Sequence, residues 1–402
     1  MADGLLAGVR VVEGSAFVAA PSGGMTLAQL GADVIRFDQI GGGLDYRRWP
    51  LTDAGASLYW AGLNKGKRSL AVDLRSPRGR ELLTELIVAP GPDHGVFLTN
   101  FPASGWMAYD RLRDRRGDLI MLNVLGNHDG TTALDYTVNC AVGYPLVTGP
   151  ADMTEPINHV LPAWDFLCGQ QAALGVVAAL RHRDRTGTGQ LMTLALSDVA
   201  LWAVSALGHI AEAQINGSAR PRIGNDVYGA FGRDFATGDG RRVIAVAVTM
   251  SQWKSLLDAT RLGDEVRAIE TRRGLDFAIE GDRYLACDEL NPLFASWCAA
   301  RSLAEIRDAF DARGVCWGPY QSFMQLVSDD DRCSTDNPLF SSIEQTGIGT
   351  ILAAAHPLDP AMGRISAAAA PSLGQHTDEI LADVLGLSAT EIARLHDDAI
   401  VA

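Results

Sequence analysis

The segment that most constrains the fold lies near the start of the chain, where two apolar runs flank a helical pattern. The runs are VRVVEGS (9–15) and DVIRFD (33–38), and between them PSGGMTLAQLGA (21–32) places Leu27 and Leu30 at helical spacing. This pattern predicts a strand, a helix and a second strand. Such a β-α-β unit begins a doubly wound parallel sheet, so we predict an α/β fold with a large Rossmann-like domain.

Later segments continue the alternation of strand and helix signals. A polar break that contains Gly and Pro, NGSARPRIGN (216–225), separates a mostly helical region (165 to about 215) from a predicted hairpin (228–249) with GDG at its turn. We therefore expect a domain boundary at this break. Further strands are predicted at 68–74, 94–100 and 118–126, and helices at 77–88, from about 251, within 303–320 and within 376–399.

A dinucleotide site is the first alternative that such a unit raises. Asp38 ends the second predicted strand, where an NAD enzyme carries the acid that binds its ribose. The first turn, however, reads EGSAFVAAP and lacks the G-x-G-x-x-G pattern that brings the backbone close to a pyrophosphate. The sequence therefore argues against NAD binding, whereas the predicted α/β fold does not depend on that cofactor.

Composition limits the classes of partner. The net charge of -14 argues against non-specific nucleic-acid binding, and the six cysteines include no C-x-x-C pair, so we expect neither disulfides nor a metal site. The apolar stretch at 171–180 is too short to span a bilayer, and the first residues resemble no signal peptide. We expect a cytoplasmic protein without a membrane partner.

One acid begins an otherwise apolar helical run. In VLPAWDFLCGQQAALGVVAALRHR (160–183) this acid is Asp165. It is interpreted as an N-cap, which accepts hydrogen bonds from the amides of the first turn, although Cys168 stands where a capping box has Glu or Gln. It is also interpreted as a nucleophile, because a carboxylate at a helix N-terminus is expected to stay ionised and attacks an activated acyl carbon. The two interpretations are compatible.

Two short basic segments stand out in this acidic chain. NKGKRSLAVDL carries Lys65, Lys67 and Arg68, and DYRRW carries Arg47 and Arg48 beside an aromatic residue. A solvated basic turn is one interpretation of the first segment. The other is a phosphate anchor, in which Arg supplies forked hydrogen bonds and Lys a point charge.

The histidines do not cluster. His128, in the predicted loop GNHDG, is a candidate general base, but a lone histidine in a loop is commonly structural or exposed. The sequence contains neither a G-x-S-x-G elbow nor a P-loop.

Six motifs occur in a fixed order along nearly the whole chain. They are LAGVRVVEGS, LAQLGADVIRFD, NKGKRSLAVDL, YGAFGRDFATGDGRRV, GVCWGPY and PSLGQHTDEIL. In this order they resemble the class III, or formyl-CoA transferase-like, CoA-transferase family. One of these motifs alone would be weak evidence for the family, whereas six in the same order are specific evidence.

The resemblance implies an architecture. We expect a large doubly wound domain built from both ends of the chain and a smaller α+β domain from its later middle, in an interlocked homodimer. The implied boundaries are 1–225 for the first part of the large domain, 226–330 for the small domain and 331–402 for the part that returns to the large domain.

The resemblance also implies a site. Asp165 matches the catalytic aspartate, and the substrate is an acyl-CoA ester, so that coenzyme A enters as part of the substrate and no cofactor or metal is permanently bound. The family's ENFRPG segment reads TNFPAS (99–104) here, which keeps the Asn and lacks Arg-Pro-Gly. The implied contacts to coenzyme A are Phe17, Val18, Arg48, Lys67, Arg68 and Asn100.

Two departures from related sequences refine the expected activity. Acyl-CoA racemases of the family carry Gly-His-Asp where this chain reads ALD (133–135), so their catalytic histidine falls on Leu134, which argues against racemisation. Formyl-CoA transferases carry a run of glycines in the small domain, and 226–330 contains none. A lid that handles free acids is therefore less expected.

Three segments, RVVEGSAFVAAPSGGMTLAQLGADVIRFD, VLPAWD and CSTDNP, resemble one branch of the family. Its members move coenzyme A within a single ester, from the C1 to the C4 carboxyl group of mesaconate (2-methylfumarate). The resemblance implies that reaction. Transfer between two dicarboxylic acids and non-catalytic binding of a CoA ester are the alternatives; the first would require an external acid, and Asp165 argues against the second.

Overall fold

The computed structural model describes residues 4–402, in which the chain forms 11 strands and 17 α-helices. The strands are β1 (Arg10–Gly14), β2 (Asp33–Gln39), β3 (Arg68–Val72), β4 (Val96–Thr99), β5 (Ile120–Leu125), β6 (Gln190–Ala195), β7 (Phe231–Ala236), β8 (Arg242–Ala247), β9 (Cys316–Pro319), β10 (Phe340–Gln345) and β11 (Gly349–Ala354). The helices are α1 (Ala19–Gln29), α2 (Leu58–Leu63), α3 (Pro77–Ile87), α4 (Tyr109–Arg115), α5 (Asp135–Ala141), α6 (Tyr144–Val147), α7 (Ala163–Thr186), α8 (Leu196–Ala206), α9 (His209–Asn216), α10 (Met250–Thr260), α11 (Gly263–Arg273), α12 (Glu280–Leu285), α13 (Cys287–Ala299), α14 (Leu303–Asp311), α15 (Phe323–Asp329), α16 (Thr377–Asp383) and α17 (Ala389–Asp397).

The first of two compact units is built on a parallel sheet of six strands. Its order is β3-β2-β1-β4-β5-β6, which is the strand order of a doubly wound Rossmann-type sheet. The predicted β-α-β unit is confirmed, since β1 and β2 pair in parallel on either side of α1. β4 is buried throughout and β1 after its first residue, as expected for strands covered on both faces.

The last strand of this sheet was not predicted, because it lies inside the region interpreted as mostly helical. β6 follows the end of α7 and pairs in parallel with β5. Its side chains alternate between half-buried and exposed, as is typical of a strand at the edge of a sheet. The run is short and borders the helical pattern of α8, so the alternation that is typical of a strand could not be recognised in the sequence.

Helix α7 packs closely on α1. A Cβ on Gly23 would lie only 2.9 Å from the carbonyl oxygen of Gly169, and a Cβ on Gly169 would collide with Ser22, so glycine at both positions lets the two backbones approach. Among the described helices, α7 alone is long and apolar enough to cross a membrane. Its buried positions include Cys168, Ala172 and Val176, so contacts within the first unit account for much of its apolar character.

The C-terminal segment also belongs to the first unit, which comprises the chain up to Val142, His159–Gly217 and Asp331–Ala402. Thr377 at the start of α16 accepts a hydrogen bond from the amide of Ala71 in β3 at 3.2 Å. The indole of Trp60 in α2 donates to the carbonyl oxygen of Pro371 at 2.8 Å. The chain end is therefore fixed against residues close to its beginning.

The second unit consists of Gly143–Asn158 and Ser218–Asp330. Its sheet is antiparallel in the order β7-β8-β9, and the predicted hairpin is confirmed as β7 and β8. The unit begins at Ser218 rather than at 226, and it includes 143–158, which we had expected in the large domain. Arg222 gives a physical reason, because its guanidinium donates to the carbonyl oxygens of Leu146 at 2.8 Å and Met153 at 2.7 Å.

Candidate active site

A cavity of about 550 Å³ opens in the first unit, beyond the carboxyl ends of its central strands. In a parallel sheet of this order the succession of strands reverses between β1 and β4, and ligands of doubly wound folds bind at that point. The residues that line the cavity are Ala16, Phe17, Val18, Ala19, Leu44, Arg48, Trp49, Tyr59, Asn100, Phe101, Val124, Leu125, Gly126, Ala133, Leu134, Asp135, Tyr136, Pro162, Asp165 and Leu196. Five of the seven predicted site residues are therefore in one place.

The turn between β1 and α1 is held from β4. Asn100, directly after β4, accepts a hydrogen bond from the amide of Ala16 at 2.9 Å and donates one to the carbonyl oxygen of Ala16 at 2.8 Å. The hydroxyl of Thr99 donates to the carbonyl oxygen of Gly14 at 2.6 Å. Asn100 thus fixes a backbone turn of the cavity, and the amide of Ala16 is not available to a ligand because it already donates to Asn100.

Phe17 follows this turn with a φ of 67°, in the left-handed region that bulky residues avoid. A conformation of this kind costs about 1–3 kcal/mol and persists where the surroundings enforce it, often at functional sites. The amides of Phe17 and Val18 donate to no other group within residues 4–402. Both residues line the cavity, so these amides are available to a ligand.

Arg48 lies between two aromatic rings on the cavity wall. Its guanidinium carbon is 5.3 Å from the ring centre of Phe17 and 5.3 Å from that of Tyr59, distances at which a cation is attracted to the ring faces. Burial raises the pKa of Tyr59 to about 12, so this phenol stays neutral at physiological pH. Arg48 is the cationic residue among those that line the cavity.

Asp165 lies in the first turn of α7, as its third residue. The N-cap position belongs to Pro162, so the interpretation of Asp165 as the N-cap was wrong. Asp135 performs that task from α5: its Oδ2 accepts hydrogen bonds from the amides of Trp164 at 2.8 Å and Asp165 at 3.1 Å. Within residues 4–402 no protein group donates a hydrogen bond to the Asp165 carboxylate, which faces the cavity unbonded.

The electrostatic surroundings of Asp165 also differ from the expectation that it stays ionised. Its pKa is raised to about 7, first because burial disfavours the charged form and second because the Asp135 carboxylate is close. Arg48 opposes both effects without overcoming them. The charge of Asp165 in turn adds to burial in raising the pKa of the Cys168 thiol to about 12, so Cys168 is no competing nucleophile.

The two remaining predicted residues, Lys67 and Arg68, lie outside the cavity lining. Lys67 is buried, and its Nζ bonds Glu13 at 2.9 Å and the carbonyl oxygen of Pro21 at 2.9 Å. Arg68 pairs with Asp33 at 2.7 Å and Glu379 at 2.9 Å. Neither position supports a role as a phosphate anchor, because carboxylates already hold both cationic groups.

Glu13 and Lys67 belong to a buried network centred on Arg36. The Arg36 guanidinium bonds Asp38 at 2.9 Å and Asp45 at 3.0 Å, and it donates to the carbonyl oxygen of Ser15 at 3.0 Å. Asp38, which was considered as a ribose acid, therefore serves the interior of the first unit. Through Asp45 and Ser15 the network fixes both segments that lead to Arg48 and Phe17.

Several residues of the site were not predicted. Asp135 directly follows Leu134, the position compared with a catalytic histidine, but its pairing with α7 depends on the folded chain. Leu134 itself is half exposed and lines the cavity, and so do Tyr59 and Tyr136. His128 is exposed and is not part of the lining, so the structure gives it no role at this site.

Similarity to known proteins identifies the family of the chain. The family model for CoA-transferase family III matches residues 6–377. The chain is 57% identical over 401 residues to the 2-methylfumaryl-CoA isomerase of Chloroflexus aurantiacus, covering 99% of this chain and 98% of that protein. It is 28% identical to the succinyl-CoA–D-citramalate CoA-transferase of the same organism, covering 98% and 97%.

A solved structure shares the fold. The crystal structure of a CAIB/BAIF family protein from Brucella suis superposes with a TM-score of 0.77 at 22% identity and covers 95% of this chain and 100% of that one. The match of the family model to most of the chain, together with the 57% identity, establishes membership. The chain belongs to CoA-transferase family III.

Proposed function

We propose that the protein converts 2-methylfumaryl-CoA into 3-methylfumaryl-CoA by moving coenzyme A from the C1 to the C4 carboxyl group of the same mesaconate, with Asp165 as nucleophile. The observation that carries this proposal is the unbonded Asp165 carboxylate at the cavity, whose pKa is raised to about 7. The 57% identity to a 2-methylfumaryl-CoA isomerase supports the choice of substrate.

In the first half of the reaction, an oxygen of Asp165 attacks the C1 thioester carbon and the electron pair of the C–S bond leaves with sulfur. The products are a mixed anhydride on Asp165 and a bound CoA thiolate. The thiolate then attacks the aspartyl carbonyl carbon, which gives an aspartyl-CoA thioester and releases the C1 carboxylate of mesaconate within the site.

In the second half, mesaconate turns and presents its C4 carboxylate. That carboxylate attacks the aspartyl-CoA thioester, the thiolate leaves, and the thiolate attacks the C4 carbonyl of the new anhydride. Asp165 returns as a carboxylate. Anhydride and thioester are both activated acyl groups, so this series of reaction steps needs no ATP. Because the cavity holds both fragments, each step is effectively unimolecular, and a free acid competes poorly.

Each tetrahedral intermediate places negative charge on an oxygen and is stabilised by N–H donors directed at it. The amides of Phe17 and Val18 are the donors we assign to this role, because they line the cavity and are unpaired within the described residues. The neighbouring amide of Ala16 cannot share this role, because it donates to Asn100.

For coenzyme A we retain Phe17, Val18 and Arg48 as contacts, because they line the same cavity as Asp165. Asn100 contributes to coenzyme A binding indirectly, because it holds the backbone of Ala16 next to Phe17. We withdraw Lys67 and Arg68 from this proposal, because their cationic groups are paired with carboxylates away from the lining.

We also propose that the active form is a homodimer. Helix α9 has no buried residue, although its sequence contains apolar side chains such as Ile215, which is 84% exposed. Leu174 on α7 and Trp202 on α8 are likewise exposed. An apolar surface of this extent is typical of a protein interface. Sedimentation equilibrium should give twice the mass of the chain; the mass of a single chain would contradict the dimer.

The activity is tested with 2-methylfumaryl-CoA alone and then with isotopically labelled mesaconate added. We expect the C4 ester to form without an acceptor, up to its equilibrium with the C1 ester, and no label in the product. If conversion required an added dicarboxylic acid and the label entered the ester, the protein would transfer coenzyme A between two acids and the proposal would be wrong.

A further inference from the structure

We propose that Asp135 is a positioning residue for the reaction: it takes the amide groups of the α7 N-terminus that would otherwise bind Asp165, and it leaves the Asp165 carboxylate free to attack. This inference deepens the proposed function and rests on it.

The geometry of the α7 N-terminus carries the argument. The first amides of a helix have no partner within the helix, and an acidic side chain in the first turn is a natural acceptor for them. Asp165 occupies such a place, yet its own amide and that of Trp164 donate to Asp135. A carboxylate held by its own helix would have to give up those bonds before attack. Asp135 removes that cost.

The side chain of Asp135 is firmly held by its surroundings. Asp135 is 2% exposed and begins α5, so its side chain is held by a packed helix. One turn later on the same helix, Asn139 accepts a hydrogen bond from the indole of Trp164 at 3.2 Å. Two side chains of α5 therefore hold the turn of α7 that carries Asp165, one with a charge and one without.

The charge of Asp135 adds a second effect. The groups that act on the Asp165 carboxylate are Asp135 from α5 and Arg48 from the loop before α2, while the Tyr59 phenol of α2 and the Cys168 thiol of α7 stay neutral nearby. When Asp165 attacks the thioester, the C–S electron pair and the negative charge leave with sulfur. Repulsion between Asp165 and Asp135 is relieved at that moment, so Asp135 favours the acylated enzyme over the free carboxylate.

The test compares a charge-removing variant with an uncharged control at the same turn. Asp135→Asn keeps an oxygen acceptor for the two amides and removes the charge, whereas Asn139→Ala removes the bond to Trp164 and changes no charge. The titration of Asp165 is followed without substrate, by the carboxyl infrared band that disappears in Asp165→Asn. We expect the midpoint to fall by about one pH unit in Asp135→Asn and to stay unchanged in Asn139→Ala.

Turnover provides the second readout. In Asp135→Asn we expect kcat to fall about tenfold with KM unchanged, and Asp135→Glu, which keeps the charge, should restore the midpoint toward that of the unmodified protein. If Asp135→Asn is unstable, Asp135→Ser serves as the neutral variant. An unchanged midpoint in a folded neutral variant would overturn the role of Asp135. The titration needs no turnover, so it stands apart from the isomerisation assay, which decides the proposed function.

Discussion

The buried and half-buried acids of the first unit fall into two groups, one paired with cationic side chains and one without such partners. Around Arg36, the carboxylates of Asp38 and Asp45 lie within 3.0 Å of the guanidinium, and Glu13 lies 2.9 Å from Lys67. Asp165 has no such partner within the described residues, and its nearest strong influence besides burial is another acid, Asp135. Buried charges are normally paired, because an unpaired one is costly.

The paired acids stabilise the fold, whereas the unpaired acid is available for the reaction. The Arg36 network uses its charges to connect the turn at Ser15 with the loop at Asp45, and its charged groups are buried outside the lining of the cavity. The Asp165 carboxylate contributes no bond to the fold. An acid that the fold tolerates without using is a candidate reagent, because perturbed groups in clefts are where catalytic residues are found.

The largest effect should follow removal of the unpaired acid. Asp165→Ala deletes the nucleophile and leaves every protein hydrogen bond of the described site in place. We expect turnover to fall by at least about 10³-fold while binding of the CoA ester stays within a few-fold. Steady-state kinetics and calorimetric titration with substrate measure the two. Activity within about tenfold of the unmodified enzyme would contradict a covalent mechanism.

The paired acids should show the reverse behaviour, with a loss of stability. Lys67→Met removes the cationic partner that lies closest to Glu13 and leaves a buried carboxylate held by the Ser15 hydroxyl at 2.6 Å, with the more distant Arg36 at 3.8 Å as its remaining cation. We expect the free energy of unfolding to fall by about 3–5 kcal/mol. Denaturant unfolding measures this change. A loss below about 1 kcal/mol would mean that the Arg36 network does not stabilise the unit.

Neutralising the unpaired acid should instead stabilise the protein, and only at higher pH. The pKa of Asp165 is raised from 3.8 to about 7, so the folded state holds a proton that the unfolded state has lost. Stability of the unmodified protein therefore falls as pH rises between these two values. We expect Asp165→Asn to be more stable by up to about 4 kcal/mol at about pH 8, with the gain vanishing near pH 4. Thermal unfolding at both pH values checks this, and an equal gain at both would show that the charge is irrelevant.

The smallest effect is expected at Arg68, where the resemblance and the structure disagree. Arg68→Gln breaks partly exposed ion pairs with Asp33 and Glu379, so the loss of stability should stay near or below about 1 kcal/mol. If the pairs define its role, KM for the CoA ester stays unchanged, whereas Arg48→Gln at the cavity raises it. A KM that rises several-fold in Arg68→Gln would restore the phosphate-anchor interpretation.

The sequence was informative where chemistry is local. Apolar runs located β1 and β2, helical spacing located α1, and an acid at the edge of an apolar run located Asp165. It was uninformative where a role depends on distant partners. Lys67 and Arg68 look free in the sequence, but Glu13, Asp33 and Glu379 reach them only in the folded chain.

The same reason explains the corrected capping of α7. An acid beside a helix start suggests an N-cap, and only the folded chain brings Asp135 to the amides first. The ionisation state of Asp165 follows, because helix position favours the charged form while burial and Asp135 favour the neutral one. The balance between those effects cannot be obtained from spacing.

The central claim is that Asp165 becomes acylated during turnover, and trapping tests it most directly. The protein is incubated with 2-methylfumaryl-CoA, quenched with hydroxylamine, digested, and analysed by mass spectrometry of the peptide that contains Asp165. Anhydride and aspartyl-CoA thioester both react with hydroxylamine, so we predict an aspartyl hydroxamate at Asp165 that requires substrate. An active preparation in which Asp165 stays unmodified while the substrate is converted would contradict the account.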